Sequence, residues 1–122
     1  MQELVVKKKK KINGRTKGHS YERALVKIFK ELGFSTCTTS RLSSKALDDA
    51  KVDLFGLPLN VQAKAVEKLG CLHSVLDSMP KDDKINVVFH KKNNKGSIVA
   101  MSEKDFLKIL STLIELGHVQ TT

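Results

Sequence analysis

Two short apolar stretches, residues 52–55 and 59–64, flank Gly56-Leu57-Pro58, and no other feature limits the fold of this chain as much. Glycine and proline within three residues are a tight-turn signal, so the two stretches are predicted to run back along one another as a hairpin. Regular elements follow on both sides. Upstream, Gly18 to Ser20 offers a helix start, Leu25, Ile28, Phe29 and Leu32 repeat at helical spacing, and Gly33 ends the run. Residues 34–39 read as a strand of aromatic and β-branched residues, and 41–50 as a polar loop. Downstream, Leu72, Val75, Leu76 and Met79 place a helix over 69–79, ended by Pro80. Residues 85–89 and 97–101 are strands about a polar turn, and Ser102 with Asp105 opens a last helix that Gly117 closes. The order α-β-β-β-α-β-β-α predicts an α/β sandwich: a central mixed five-stranded sheet flanked by helices.

A length of 122 residues suits one domain, and 40% hydrophobic residues can supply its core. No apolar stretch approaches the roughly 18 residues of a membrane helix. Residues 7–11 are all lysine with no apolar segment behind them, so no secretory leader is expected. Cys37 and Cys71 stand alone, which argues against a disulfide framework or structural zinc and for a reducing intracellular compartment. No glycine-rich phosphate loop is present, so no nucleotide cofactor is expected.

The charge is uneven. The chain carries 22 Lys and Arg against 13 Asp and Glu, a net +9. Residues 1–17 hold seven of those bases (Lys7, Lys8, Lys9, Lys10, Lys11, Arg15 and Lys17) and one acid, Glu3, for +6. The other 105 residues hold 15 bases and 12 acids, for +3. Residues 1–17 are therefore expected to form a basic, flexible arm before a single domain over 18–122. Such an arm is either a solubility tail or a non-specific clamp on phosphates. It lacks the amphipathic apolar face that membrane attachment needs.

Four polar residues stand where packing alone would not put them. Glu22 precedes Leu25 by three and Phe29 by seven, on the apolar face of its helix. Asp53 interrupts an otherwise apolar strand. Gln62 and Lys64, two apart, share one sheet face, opposite Val61, Ala63 and Ala65. The hairpin brings Asp53 near Gln62 and Lys64, and the first helix can lay Glu22 against the same patch. This combination suits phosphodiester hydrolysis: carboxylate and amide oxygens for Mg²⁺, and a lysine to hold a water and stabilise negative charge. The alternative is an Asp53 solvated near its turn, with Gln62 and Lys64 on an exposed face.

The stretch 17–34 (KGHSYERALVKIFKELGF), Arg41, residues 51–56 (KVDLFG) and residues 60–64 (NVQAK) together resemble the archaeal-type Holliday-junction resolvases, which have phage relatives. These belong to the PD-(D/E)XK nucleases. The resemblance implies a restriction-endonuclease-like fold and a Mg²⁺-dependent endonuclease, with Mn²⁺ as a substitute. It also implies four-way DNA junctions as substrate, a homodimer, and roles in recombination and repair. Its location would be the cytoplasm and nucleoid, or the host cytoplasm for a phage protein. Its site maps to Glu22, Asp53, Gln62 and Lys64, with the Ala63 carbonyl as a further metal ligand. Arg23 and Arg41 match basic DNA-contacting positions, and Ser40, Ser43 or Ser44 matches a polar loop serine. The departure is Gln62, which stands where the family has an acid. A nuclease of the same fold acting on flaps or duplex, or an inactive branched-DNA-binding module, are the alternatives.

Other residues point to structure. His19, His73, His90 and His118 lack ligand spacing, with His90 expected to be solvated or capping. Asp48 and Asp49 suit a solvated turn, Cys37 a small core position, and the last helix first a core element, with an apolar run long enough to serve a dimer interface as well.

Overall fold

The computed structural model describes residues 14–122. The lysine run 7–11 lies outside them. Helix α1 (Gly14–Glu31) is followed by β1 (Thr38–Thr39), α2 (Ser40–Ser43), α3 (Lys45–Asp49), β2 (Leu54–Phe55) and β3 (Leu59–Lys64). Then come α4 (Leu72–Asp77), β4 (Ile85–Lys92), β5 (Gly96–Ala100) and α5 (Glu103–Glu115). The class is mixed α/β, and the five expected strands are present, but hydrogen bonding divides them. β1 and β2 form an antiparallel pair, while β3 runs parallel to β4 and β4 antiparallel to β5.

The split lies at the expected hairpin, where β2 pairs with β1 rather than along β3. At Gly56 the φ of +89° turns the chain, and the missing side chain leaves room for the backbone of Thr36 and Cys37, just before β1. A Cβ there would stand 2.9 Å from the Thr36 carbonyl oxygen. The hairpin survives as one backbone bond, from the Asp53 N–H to the Val61 carbonyl at 2.7 Å.

Three further differences bear on function. Helix α1 begins at Gly14, so Arg15 and Lys17 belong to it and not to an arm. Residues 41–50 are not an open loop but mostly two short helices, and Ser44 caps the second by accepting the Leu47 N–H at 3.3 Å. Strand 34–39 shrinks to Thr38–Thr39, because a turn bonds Cys37 N–H to the Phe34 carbonyl.

The core forms where α1 lies on β3. Tyr21, Leu25 and Phe29 pack with Cys37, Leu54, Leu57, Val61, Ala63, Ala65 and Val87. Phe29 meets Phe34 and Phe89 edge-on at 6.2 and 5.9 Å between ring centres. His90, expected to be solvated, is buried and shares a hydrogen bond with the Val66 carbonyl at 2.8 Å. No helix among the described residues is long and apolar enough to cross a membrane.

Candidate active site

Asp53 is tied down on three sides. Its N–H donates to Val61, its carbonyl accepts the Ser40 N–H at 2.8 Å, and its Oδ2 accepts the Ala63 N–H at 2.7 Å. Both bonds to β3 bracket Gln62. Successive residues of a strand present their backbone groups to alternate sides, and one residue's N–H and C=O leave the same side. The Ala63 carbonyl therefore faces the edge that Asp53 occupies. Burial raises the Asp53 carboxyl from 3.8 to about 6. The Ala63 N–H and the Lys64 charge oppose that rise, while Glu22 and Asp48 add to it.

Glu22 arrives from α1. It lies on the helix face of the buried Leu25 and Phe29 and is itself 8% exposed, and Arg41 reaches back to bond Oε1 through Nε at 3.2 Å. Burial also raises the Glu22 carboxyl, which Arg41 partly offsets and Asp48 reinforces. Arg41, matched to a DNA contact by resemblance, is thus a partner of the site carboxylate here. Arg23 is exposed and donates to Ser20 Oγ at 3.3 Å.

Gln62 is buried at 6% exposure, and its Oε1 has no hydrogen-bond partner. An orphaned buried acceptor is costly, and it is the kind of atom a cation or an ordered water satisfies. Lys64 is half-buried and close enough to Asp53 to favour its ionised form. Gln62 is therefore not on an exposed face, and Asp53 is half-buried and held by β3 instead of standing free near its turn.

This donor set fits a hard divalent cation: one buried and one half-buried carboxylate, an unpartnered amide oxygen and a main-chain carbonyl on the Asp53 edge. Among the described residues no three His, Cys, Asp or Glu side chains converge as a metal-holding group. A cation here would rest on Glu22 and Asp53, completed by the neutral oxygens of Gln62 and Ala63.

Two nearby residues were legible in the sequence but set aside. Asp48, on α3, is close enough to raise both carboxyls, whereas Asp49 turns outward to Lys45 at 3.1 Å. Ser44 followed by Leu47 was the signal, since a capped turn carries Asp48 inward. His19 shares its helix face with Arg15 and Arg23; burial first, then Arg41, Arg15 and Arg23, lower its pKa. Of the loop serines, Ser40 is fully buried with an unpartnered Oγ, Ser43 is exposed, and Ser44 is the cap. His73 and His118 are exposed. No protein-family model, curated protein or solved structure matches this chain.

Proposed function

We propose that this protein is a Mg²⁺-dependent structure-selective DNA endonuclease that resolves four-way junctions by paired phosphodiester hydrolysis. The reading follows the sequence resemblance to the archaeal-type Holliday-junction resolvases of the PD-(D/E)XK superfamily. The observation that carries it is Asp53: a half-buried carboxylate bonded to β3 next to Gln62, whose own buried oxygen has no partner, and close enough to Glu22 for the two charges to oppose each other, in a chain of net charge +9. A site that costs stability in the empty protein calls for a positively charged ligand.

Glu22, Asp53, Gln62 and the Ala63 carbonyl would hold the cation, with Mn²⁺ as a substitute, and it would supply charge neutralisation at the scissile phosphate and an acidified water. Lys64 would hold that water and stabilise charge on the phosphate oxygens. Arg15, Lys17 and Arg23 extend positive charge along α1 from the site, and Lys7 to Lys11 with Ser43 and Arg41 complete the DNA contacts of the proposal. The work would be done inside the cell, at DNA.

Two symmetric cuts require two sites, so the active form is a C2 homodimer. Helix α5 supports this. It buries none of its residues, and Phe106 and Leu107 are 53% and 52% exposed. At helical spacing, Phe106, Leu107, Leu110, Leu113 and Ile114 make one uncharged stripe. An antiparallel copy centred on Leu110 sets Phe106 against the partner's Ile114 and Leu107 against the partner's Leu113. Between two strongly basic chains, an uncharged stripe is the surface that meets its copy without repulsion.

The Glu22–Arg41 ion pair and the amide at Gln62 favour a second reading, a branched-DNA-binding module that does not cut. The test is a panel of synthetic four-way junction, flap and linear duplex, incubated with Mg²⁺ or with EDTA. Cleavage of the junction in Mg²⁺ alone supports resolution. Tight junction binding with no cleavage in Mg²⁺ or Mn²⁺ supports the second reading.

Gln62 has its own expected outcome. Gln62→Glu adds a third anionic oxygen beside two carboxylates, so the Mg²⁺ concentration for half-maximal cleavage should fall severalfold. The change should also raise the Asp53 pKa further in metal-free protein. A titration of cleavage rate against Mg²⁺ checks the first, and an unchanged midpoint would remove Gln62 from the metal shell.

A further inference from the structure

A cleft of about 250 Å³ opens between α1 and the ends of β3 and β4, and Glu22 is not among its lining residues. From α1 it is lined by Lys17, Ser20, Tyr21 and Ala24, at positions i, i+3, i+4 and i+7 that share one helix face. Ala65, Lys91 and Asn93 form the other wall. The parallel register ends at Lys64↔His90, and the next residue of each chain, Ala65 and Lys91, faces the cleft. Two alanines leave the room, and the polar groups stand around it.

The chemistry of this lining is one-sided. No carboxylate lines the cleft, and among the described residues neither Lys17 nor Lys91 has an ion-pair partner. The nearby acid, Glu67, stands behind this wall and not in the lining, accepting the backbone N–H of Asn93 at 2.7 Å and leaving the Asn93 side-chain amide to the cleft. Lys91 Nζ stands 6.0 Å from the centre of the Tyr21 ring, a cation–aromatic contact that holds the ammonium over one wall. The Tyr21 ring is 94% buried by residue and so forms a fixed wall; its hydroxyl has Ser97 nearby but outside hydrogen-bonding geometry. Two ammonium groups with a hydroxyl and an amide donor, in a concavity with room for several waters, suit a tetrahedral oxyanion.

We propose that this cleft is a phosphate-binding site, separate from the carboxylate site, that takes a phosphate group of the nucleic acid. On the proposed nuclease reading it anchors a phosphate away from the scissile one. Tyr21 and Glu22 are consecutive on α1, and Lys64 and Ala65 are consecutive at the end of β3, so the two sites share a rigid frame. A phosphate seated in the cleft would fix where the strand crosses the carboxylates.

The test is run in EDTA, which separates binding from cleavage and from any failure of the nuclease reading. Binding of a fluorescent duplex is measured against salt for the wild type, Lys17→Ala/Lys91→Ala, Ala24→Leu, and Lys104→Ala/Lys108→Ala as a charge-matched control on α5. Ala24→Leu keeps all charge and fills the cleft from an exposed helical position that tolerates leucine. The cleft variants should each lose one phosphate contact, lowering the log–log salt slope by about 0.9, while the control leaves it unchanged. Equal loss in the control and in the lysine double variant, with Ala24→Leu unaffected, would overturn the site in favour of general charge. In parallel, inorganic phosphate titrated into ¹⁵N-labelled protein should move the amides of Lys17, Ser20, Lys91 and Asn93; no movement up to tens of millimolar would also overturn it. A duplex with and without 5′-phosphates distinguishes the two sources: equal affinity assigns an internal phosphodiester, and a gain with the 5′-phosphate assigns a strand end.

Discussion

Asp53→Asn should abolish metal-dependent cleavage and at the same time make the protein more stable at neutral pH. The first effect follows from losing an anionic ligand that no neighbour replaces, and a loss on the order of a thousandfold or more is expected. The second follows from the raised carboxyl. An unfolded Asp ionises near 3.8, whereas folded Asp53 ionises near 6. Between these values the folded state binds more protons, so stability falls as pH rises through that window and stays lower above it. The full penalty is roughly 3 kcal/mol. Asparagine keeps the acceptor for the Ala63 N–H and carries no charge to desolvate, so its melting temperature should exceed that of the wild type at pH 7–8 and match it near pH 4. Thermal melts at the two pH values check this. Activity of the wild type should likewise decline as pH falls below about 6, where Asp53 takes up its proton, and less so at high Mg²⁺, which competes with the proton.

Phe106→Lys/Leu107→Lys should separate the proposed dimer. Both residues are about half exposed in the single chain, so the substitutions should leave its helical content unchanged by circular dichroism. In the dimer each pair of lysines would be desolvated against apolar side chains of the other copy. Association should weaken by at least about a hundredfold, roughly 3 kcal/mol. Sedimentation at tens of micromolar should report twice the 13.6 kDa chain mass for the wild type and the single mass for the variant. A junction should then receive separate nicks instead of paired cuts. A wild type that sediments as a monomer, or a variant that stays dimeric, would remove α5 as the interface.

The sequence carried the elements better than their pairing. Spacing alone places Glu22 on a buried helix face, and the structure buries it beside Leu25 and Phe29. Alternation separates Val61, Ala63 and Ala65 from Gln62 and Lys64, and the structure puts the first three in the core. What periodicity could not supply was the partner of β2: pairing depends on the close approach of Thr36 to Gly56, a tertiary contact with no local signature. The helical character of 41–50 escaped for a related reason. Its five-residue helix is too short to show a period, and only the Ser44 cap betrays it. Asp48 was missed with it. Arg41 could be placed near the site by resemblance, but its ion pair with Glu22 rests on α2, the four-residue helix that carries it and that is likewise too short to show a period.

The central claim is that Glu22 and Asp53 are held desolvated for a divalent cation, and calorimetric titration of Mn²⁺ tests it most directly. At pH 6 Asp53 is about half protonated, so binding should release close to half a proton from that group, read from titrations in two buffers of different ionisation enthalpy. The expected result is one site per chain, with that proton release, and loss of both in Asp53→Asn. Identical Mn²⁺ binding by the wild type and Asp53→Asn, or no binding by the wild type at millimolar Mn²⁺, would contradict the account.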